Sequence, residues 1–192
     1  NNFTGTVPSW LVTLPNLTII YLSTNDITGK IPIELCNHTK LVGLDLSENK
    51  PEGRIPAELG QLTNLEYLSF ASNQITGDIP APIGNLSSLT VIDLFQNGIY
   101  LNMNQLSGTL VHFLTALSKC RRLNTINIAN NTFTGRLPQY IGNLSTVLQY
   151  FIADYNRITG SIPISCLYML VKIKINRKGN TPLSSGTDLL SY

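Results

Sequence analysis

The fold of this 192-residue chain is decided by the stretch Leu65-Glu66-Tyr67-Leu68-Ser69-Phe70-Ala71-Ser72-Asn73-Gln74-Ile75-Thr76-Gly77-Asp78-Ile79-Pro80. Its frame, L-x-x-L-x-L-x-x-N-x-x-x-G-x-I-P, returns about every 24 residues with small exchanges among hydrophobic residues. The other copies place their asparagine at Asn25, Asn49, Asn131 and Asn156. Five copies agree at seven positions, which chance does not explain. A fixed period of this length predicts a solenoid whose coils are the successive repeats.

The first part of each repeat alternates apolar and polar residues, which is the period of a β-strand. In the repeat that contains Asn49, Leu44 and Leu46 should point to one side of the strand, and Asp45 to the other. A single repeat cannot bury its apolar side alone, so we expect successive strands to pair in parallel and share one core. The opposite side of that sheet is then an open surface.

The second part of each repeat carries turn-forming residues at fixed places. The repeated asparagine can donate and accept hydrogen bonds, so we expect a ladder of these side chains to satisfy backbone groups along the solenoid. The glycine four residues later predicts a positive φ or a close backbone approach. The Ile-Pro pair predicts an extended bend. The residues after it, such as residues 57–62, carry leucines three apart and predict a short helical return.

The phrase I-T-G-x-I-P, at residues 27–32, 75–80 and 158–163, resembles the plant-type leucine-rich repeat, and the likeness extends from residue 2 to about residue 163. The resemblance implies an α/β leucine-rich repeat solenoid. Such a solenoid is a right-handed curved superhelix with a parallel β-sheet on its concave face and short helical or 3-10 returns on its convex face. We expect residues 1–192 to form a single domain of this kind, with about seven repeats.

Plant-type repeats form the ectodomains of plant receptor kinases and receptor-like proteins, and also secreted polygalacturonase inhibitors. The lengthened repeat at residues 113–123 and the segment at residues 142–156 further resemble the receptor-kinase subfamily that includes immune receptors for bacterial peptides. The resemblance implies an extracellular recognition module that binds a peptide or protein ligand on its concave face, in defence signalling. A co-receptor kinase ectodomain is the second partner that it implies.

Two other interpretations share the same repeat type. The first is a secreted leucine-rich repeat inhibitor of a cell-wall-degrading enzyme, of the polygalacturonase-inhibitor type. The second is a truncated gene product that keeps the scaffold but has no partner. The sequons and the repeat frame are compatible with all three, so the sequence leaves the choice open.

The candidate binding residues are the side chains at outward strand positions, because solenoids use their long concave surface for recognition. Aromatic anchors contribute much of the binding energy at such surfaces, although aromatic residues also favour strands on propensity alone. Asp45, Asp93 and Asp154 are candidates to orient a basic or amide-bearing peptide. The predicted ligand-binding set comprises Tyr21, Tyr67, Ser69, Asp93, Phe95, Asn127, Tyr150, Ile152 and Asp154.

Composition and motifs argue against several other classes of function. The net charge is only +2, which leaves no footprint for nucleic acid. We interpret the two histidines, His38 and His112, as surface residues of return segments, so neither a catalytic triad nor a metal-ligand spacing emerges. No phosphate-binding loop or kinase motif occurs. We therefore expect no enzymatic activity, no catalytic residue, no cofactor and no metal site in this chain.

Sequons and cysteines bear on the compartment. Six N-x-S/T sequons, a modest excess over chance, indicate a glycoprotein of the secretory pathway with an extracellular or cell-surface location. They lie at Asn2, Asn16, Asn37, Asn85, Asn130 and Asn143. Cys36, Cys120 and Cys166 fall near equivalent returns several repeats apart, so we expect buried free thiols rather than disulfides. No apolar run is long enough to span a membrane, so we expect no membrane contact by this chain.

The frame fails in two places. After Asn97 the expected glycine and Ile-Pro pair are missing, and the frame restarts so that Asn104 follows seven residues later. This break at residues 97–104 reflects either a deletion or residues omitted from the sequence. The pattern weakens again over residues 164–192. Because the chain begins in mid-repeat and lacks the paired-cysteine caps typical of the family at both ends, we expect an internal piece of a longer, membrane-anchored ectodomain.

Overall fold

The strand, turn and return of each repeat follow one another along the whole computed structural model, which describes residues 1–95, 105–168 and 172–175. Each coil contains a strand, a tight turn at the repeated asparagine, a second strand and a helical return. The predicted break at residues 97–104 and the part of the predicted irregular tail beyond residue 175 lie outside the described residues.

The alternating segments form a parallel seven-stranded sheet, which we call the concave sheet. With all strands numbered in chain order, it contains β2 (Ile19–Tyr21), β4 (Gly43–Asp45), β6 (Tyr67–Ser69), β8 (Val91–Asp93), β10 (Thr125–Asn127), β12 (Tyr150–Ile152) and β14 (Lys172–Lys174). The central residues pair in register from strand to strand, from Ile20 through Leu44 and Leu68 onward. Ile20 is 4% exposed and Leu44 and Leu68 are fully buried, so the predicted core under a parallel sheet is confirmed.

The segment after each asparagine forms a second parallel sheet, which we call the lateral sheet and which the sequence analysis describes only as a turn and a bend. Its strands are β1 (Thr4–Thr6), β3 (Asp26–Lys30), β5 (Lys50–Gly53), β7 (Gln74–Asp78) and β9 (Gln105–Ser107), with β11 (Thr134–Arg136) and β13 (Arg157–Thr159) as a further pair. The glycine of each such segment has a φ between 79° and 101°, as its place in the frame predicts.

The returns on the convex side begin directly after the proline of the repeat motif. This proline has an extended backbone, as at Pro32, Pro56 and Pro80. Among the described residues, six returns are 3-10 helices, at Ser9–Thr13, Ile33–Asn37, Ala57–Gln61, Ala81–Asn85, Gln139–Asn143 and Ile164–Tyr168. The lengthened repeat instead forms an α-helix, α1 (Leu110–Leu117). The Thr109 hydroxyl caps α1 by accepting a hydrogen bond from the His112 amide at 3.3 Å.

The three cysteines are free and buried in the returns, as predicted. Burial raises the pKa of the Cys120 thiol to about 11. Burial also raises the pKa of Cys36 to about 11, with a further contribution from the nearby Glu58 and Glu34 carboxylates. Both side chains are therefore neutral at physiological pH and act as small hydrophobic residues of the core.

The interpretation of His38 as a surface residue is wrong. His38 is only 7% exposed, and its Nε2 atom has no hydrogen-bond partner among the described residues. It follows the return Ile33–Asn37 at the place that Leu62 and Leu86 occupy in the next two coils, and both of those leucines are fully buried. The frame turns this position toward the core regardless of the polarity of its side chain. His112, on α1, is exposed as expected.

The asparagine ladder joins each coil to the one before it. Asn49 shows the full pattern: its Nδ2 group donates to the carbonyls of Leu46 and Ser47 in its own turn and to Leu22 in the preceding coil, at 2.8–3.2 Å. Its Oδ1 atom accepts the amide of Ile27 at 2.9 Å. Asn73, Asn131 and Asn156 repeat the three donations, so the predicted ladder is confirmed.

Two rungs of this ladder are incomplete, at Asn73 and Asn131. Asn73 Oδ1 is buried and has no hydrogen-bond partner among the described residues. The Oδ1 atoms of Asn25 and Asn49 each accept the backbone amide of the residue 22 positions earlier. For Asn73 that residue is Pro51, which has no N–H. Isoleucine holds the same frame position in the neighbouring coils, at Ile27 and Ile75.

We expect Pro51→Ile to stabilise the protein by about 1 kcal/mol, because the restored amide satisfies a buried acceptor whose isolation costs about 1–3 kcal/mol, partly offset by the lost rigidity of proline. Chemical denaturation measures the gain. In a double-mutant cycle, Pro51→Ile should give a smaller gain when Asn73 is replaced by alanine. Equal gains in both backgrounds would contradict the proposed hydrogen bond.

Candidate functional site

The outward residues of the concave sheet form two continuous rows. In each strand the residues on either side of the buried central residue face outward, and the strand register aligns them. The first row contains Ile19, Gly43, Tyr67, Val91, Thr125 and Tyr150. The second row contains Tyr21, Asp45, Ser69, Asp93, Asn127, Ile152 and Lys174. Seven coils therefore present one extended surface with chemistry that changes along its length.

An aromatic pair occupies the amino-terminal part of this surface. The rings of Tyr21 and Tyr67 meet edge to face, with centroids 6.0 Å apart and planes at 68°. They meet across Gly43, since a Cβ atom at that position would lie 2.8 Å from the Tyr21 hydroxyl and 2.9 Å from its ring. Glycine at this row position therefore makes the space that the Tyr21 ring fills.

Two carboxylates flank the same region and have a structural role of their own. Asp45 Oδ1 accepts the amide of Ser47, and Asp93 Oδ1 accepts the amide of Phe95, both at 2.9 Å. These bonds satisfy backbone groups where the chain leaves the strand. Each carboxylate keeps its second oxygen without a hydrogen-bond partner among the described residues. The two side chains are thus held in place while part of their acceptor capacity stays available.

The electrostatic environment of this region is unfavourable to negative charge. Burial raises the pKa of Asp93; the hydrogen bond from the Phe95 amide opposes this shift, and the nearby Asp45 charge adds to it. Burial also raises the pKa of Tyr67, with further contributions from the Asp45 and Asp93 charges. Neither aspartate forms a salt bridge with another residue in the part of the chain that the structure describes.

We expect Asp93→Asn to stabilise the protein at pH 7 by a fraction of a kcal/mol, roughly the size of a partly exposed charge interaction. The amide oxygen of asparagine can still accept the Phe95 amide, while the repulsion from Asp45 and the desolvated charge are removed. Because the folded-state pKa of Asp93 is raised, its ionisation weakens folding at pH values above that pKa. The difference between the two proteins should therefore disappear as the pH falls below 3.8, the ordinary value for aspartate.

Denaturation curves from pH 3 to pH 8 measure this difference. The exposed Glu52 on the lateral sheet provides the control, since Glu52→Gln should change stability little at any pH. A less stable Asp93→Asn protein at pH 7 would show that the carboxylate is needed for folding rather than tolerated by it.

The predicted binding residues differ in their solvent exposure. Tyr21 and Tyr150 are 56% and 38% exposed. Partial exposure is shared by Tyr67, Asp93, Phe95, Asn127 and Ile152. Ser69 and Asp154 are 2% and 3% exposed, so the expectation that they face solvent is wrong, although their part in binding stays a prediction. Ser69 is short and lies between Asp45 and Asp93, and Asp154 lies beyond the end of β12, with Lys174 Nζ 3.6 Å from its Oδ2.

The contribution of Gly43 was not predicted from the sequence, and Asp45 is absent from the predicted binding set. Gly43 occupies a row position at which all the other concave strands have a residue with a side chain. This exception is visible in the sequence. Its meaning depends on where the Tyr21 ring turns, which no single repeat specifies. Asp45 shares its row with Asp93, and only the strand register shows that one short serine separates the two.

Three of the sequon asparagines, Asn37, Asn85 and Asn143, end returns on the convex side, whereas Asn130 lies three residues beyond β10 of the concave sheet. Five of the six asparagines are exposed. Asn130 is half-buried and has a φ of 61°, a conformation that asparagine adopts more readily than most residues. The left-handed backbone conformation therefore explains an asparagine at this position without glycosylation. Glycosylation at the six sites stays a prediction.

Other kinds of site receive no support from the described ranges. Among those residues, no three His, Cys, Asp or Glu side chains are grouped to hold a metal ion. Within the same ranges, no helix has both the length and the apolar character needed to cross a membrane. A cavity of about 220 Å³ lies between the lateral sheet and α1, lined in part by Asp78, Ser107 and His112. Its Ser107 hydroxyl donates to Asp78 at 2.9 Å.

Fold and surface together define a solenoid with an open, parallel concave sheet and short convex returns. The chain has the leucine-rich repeat fold and is similar to the ectodomains of plant leucine-rich repeat receptor kinases. Two family profiles match it: "Leucine Rich repeats (2 copies)" covers residues 63–107, and "Leucine Rich Repeat" covers residues 16–38 and 122–144.

Comparison with known proteins yields relatives of the same kind. Receptor kinase-like protein Xa21 from Oryza sativa subsp. japonica is 43% identical over 51 residues, which are 27% of this chain and 5% of the rice protein. The plant peptide hormone receptor RGFR1, solved with RGF2, has a TM-score of 0.78 and 32% identity over 91% of this chain and 27% of that receptor chain.

The Arabidopsis receptor kinase HAESA, solved with the peptide hormone IDA and the co-receptor SERK1, has a TM-score of 0.76 and 30% identity. That match covers 93% of this chain and 29% of the HAESA chain. The chain thus spans less than a third of the length of each of these relatives.

Proposed function

We propose that this chain is an extracellular recognition module of a plant leucine-rich repeat receptor kinase, which binds a peptide or protein ligand on its concave sheet in defence signalling. Residues 1–192 form one domain of about seven repeats in this proposal, and its location is the cell surface. A co-receptor kinase ectodomain is the second partner. The similar receptors RGFR1 and HAESA were solved with peptide hormones, and HAESA also with a co-receptor, which supports these partner classes.

The observation that carries the proposal is the register of the outward rows. Aromatic side chains on β2, β6 and β12 are exposed or half-exposed on one face, while the core positions beside them are buried. Exposed aromatic residues on a rigid sheet bind partners with little loss of conformational entropy. On the lateral sheet, the same coils present charged and hydroxyl side chains instead.

Binding to peptide fractions from plant extracellular fluid, measured by biolayer interferometry on the immobilised protein, tests the proposal. A triple variant, Tyr21→Ala, Tyr67→Ala and Tyr150→Ala, should weaken binding at least tenfold, since buried aromatic anchors typically contribute about 2 kcal/mol or more each. The matched control replaces three exposed lateral-sheet residues, Lys30→Ala, Gln74→Ala and Arg157→Ala, and should bind as the unaltered protein does.

Equal losses in the two variants would contradict a concave site. Unchanged binding by the tyrosine variant would do the same and would favour the interpretation of a scaffold without a partner on this face. Circular dichroism on each variant separates lost binding from lost structure.

A further inference from the structure

The last residues of the first five 3-10 returns form an exposed edge of the solenoid, which we call the return edge. Its members are Thr13, Asn37, Gln61, Asn85 and Asn143, and all five are exposed. Three of the five are asparagines of N-x-S/T sequons, so half of the six sequons share one place in the repeat. Each coil runs from its concave strand through its lateral strand to the return. The return edge and the lateral sheet therefore flank the concave sheet on opposite sides.

A buried residue directly after each return explains why the return edge faces solvent. His38, Leu62 and Leu86 follow three of these returns, and none is more than 7% exposed. Their φ angles lie between −81° and −73° and their ψ angles between 58° and 69°, which are the angles of an inverse γ-turn. With the middle side chain in the core, the residues on either side of it point outward.

The γ-turn also exposes the hydroxyl of the sequon. The amides of Thr39, Thr63 and Ser87 donate to the carbonyl oxygens two residues earlier at 2.8–3.0 Å, which closes each turn. All three of these residues are exposed. At Asn37 and Asn85, both side chains that define the sequon therefore reach solvent on the same edge.

Asn143 shares the place but has a different turn. Its neighbour Leu144 is helical and 1% exposed, and Ser145 is buried with its hydroxyl donating to the Arg121 carbonyl at 2.8 Å. The Asn143 side chain itself is exposed. An oligosaccharide on its Nδ2 atom thus projects from the same edge as one on Asn85.

The sequon at Asn130 has none of this geometry. Asn130 is half-buried in the turn between β10 and β11, and its amide donates to the Asp154 carbonyl at 2.8 Å. The next residue, Asn131, belongs to the buried ladder and is 6% exposed. A bulky substituent on Asn130 would have to fit between the two sheets.

We propose that the return edge carries N-linked oligosaccharides at Asn37, Asn85 and Asn143, and that Asn130 stays unmodified. The inference rests on the cell-surface location in the proposed function. The co-reactant is an oligosaccharide carried on a lipid diphosphate. A bond forms between the asparagine Nδ2 and the anomeric carbon, the bond from that carbon to the diphosphate oxygen breaks, and the diphosphate leaves with the electron pair while Nδ2 gives up one proton to a base.

The spacing of the three acceptors suits bulky substituents. Gln61 separates Asn37 from Asn85, so these two acceptors lie two coils apart. Neighbouring strands are about 4.8 Å apart, which separates the attachment points by roughly 10 Å or more. Carbohydrate then lines one flank of the concave sheet and leaves the sheet itself open.

The single substitution Gln61→Asn tests the proposal, because Leu62 and Thr63 complete a sequon at an unmodified place on the same edge. The chain is secreted from plant cells behind an added signal peptide. A peptide N-glycosidase then releases the sugars in heavy-oxygen water, and mass spectrometry of the peptides gives the occupancy of each site. We expect position 61 to be modified as fully as Asn85. The matched control, Gln61→Asn with Thr63→Ala, should carry no sugar at position 61.

In the unaltered protein, occupancy at Asn130 should be at least about fivefold lower than at Asn37, Asn85 and Asn143. Equal occupancy at Asn130 would overturn the proposal, as would a Gln61→Asn protein without sugar at position 61. The added signal peptide makes both results independent of the natural location of the chain. If they fail while the triple-tyrosine variant still loses its peptide ligand, the glycan assignment is wrong and the concave recognition surface stands.

Discussion

Asn49→Ala should destabilise the protein by about 3–5 kcal/mol, because it removes four hydrogen bonds from a side chain that is 8% exposed. The Ile27 amide loses its partner, and a buried donor left unsatisfied costs about 1–3 kcal/mol. The carbonyls of Leu22, Leu46 and Ser47 each keep a second donor, so each of these three lost bonds costs only about 0.5–1 kcal/mol. Two of these four bonds join the coil to the one before it. The substitution therefore weakens the coupling between coils as well as a single turn.

Chemical denaturation measures the loss, and hydrogen exchange shows whether it spreads into the preceding coil. Asn73→Ala provides the matched comparison. Asn73 makes the same three donations, but its Oδ1 has no partner among the described residues, so its loss should be smaller by about 1 kcal/mol. If Asn49→Ala cost less than about 1 kcal/mol, the ladder would not hold the coils together.

Gly84→Ala should destabilise the protein by about 3 kcal/mol or more, beyond the usual range for overpacking. A Cβ atom on Gly84 would lie 2.1 Å from the Ala116 carbonyl oxygen and 3.0 Å from its carbonyl carbon. These are backbone atoms of α1, so no side-chain rotation relieves the clash, and the helix must move away from the preceding return. Gly84 does not have a positive φ, so the loss comes from the contact alone.

Gly5→Ala is the control for this effect. Gly5 has a φ of 93°, yet a Cβ atom there would meet nothing within 4 Å, so only conformational strain of roughly 1–2 kcal/mol is expected. A second variant, Gly84→Ala with Ala116→Gly, should not recover stability, because the obstructing atoms belong to the backbone. Recovery in that double variant, or stability within 1 kcal/mol of the unaltered protein for Gly84→Ala, would contradict the close packing of α1.

Much of the fold could be predicted because the residue pattern within a single repeat is enough to indicate its concave strand. Leu44 and Leu46 alternate with polar neighbours, and repetition of that pattern requires parallel pairing in register. The asparagine and glycine positions were predictable for a similar reason, since their chemistry serves the turn in which they stand. These signals are local and recur, so five copies reinforce one another.

The lateral sheet could not be predicted in the same way. Its strands bury at most one apolar residue each, such as Ile27 or Ile75, and therefore lack the alternation that indicates a strand. Its pairing depends on backbone groups that come together only when coils stack. The burial of His38 has the same origin, because the frame position and not the residue type decides which way that side chain points.

The candidate site was predictable in its face but not in its internal arrangement. Outward positions follow from the strand period, so Tyr21 and Tyr67 could be assigned to the concave side from sequence. Their contact across Gly43, and the isolation of Asp45 and Asp93 around Ser69, depend on register between different coils. Such relations concern residues about 24 or 48 positions apart, and no single repeat contains them.

The most direct test of a concave recognition surface compares two positions in one coil. A photo-reactive benzoyl-phenylalanine replaces Tyr67 on the concave sheet in one variant and Gln74 on the lateral sheet in another, and each is irradiated with the same extracellular peptide fraction. The proposal predicts that a peptide or protein becomes cross-linked at position 67 and not at position 74. Cross-linking at position 74 alone, or equally at both positions, would contradict it.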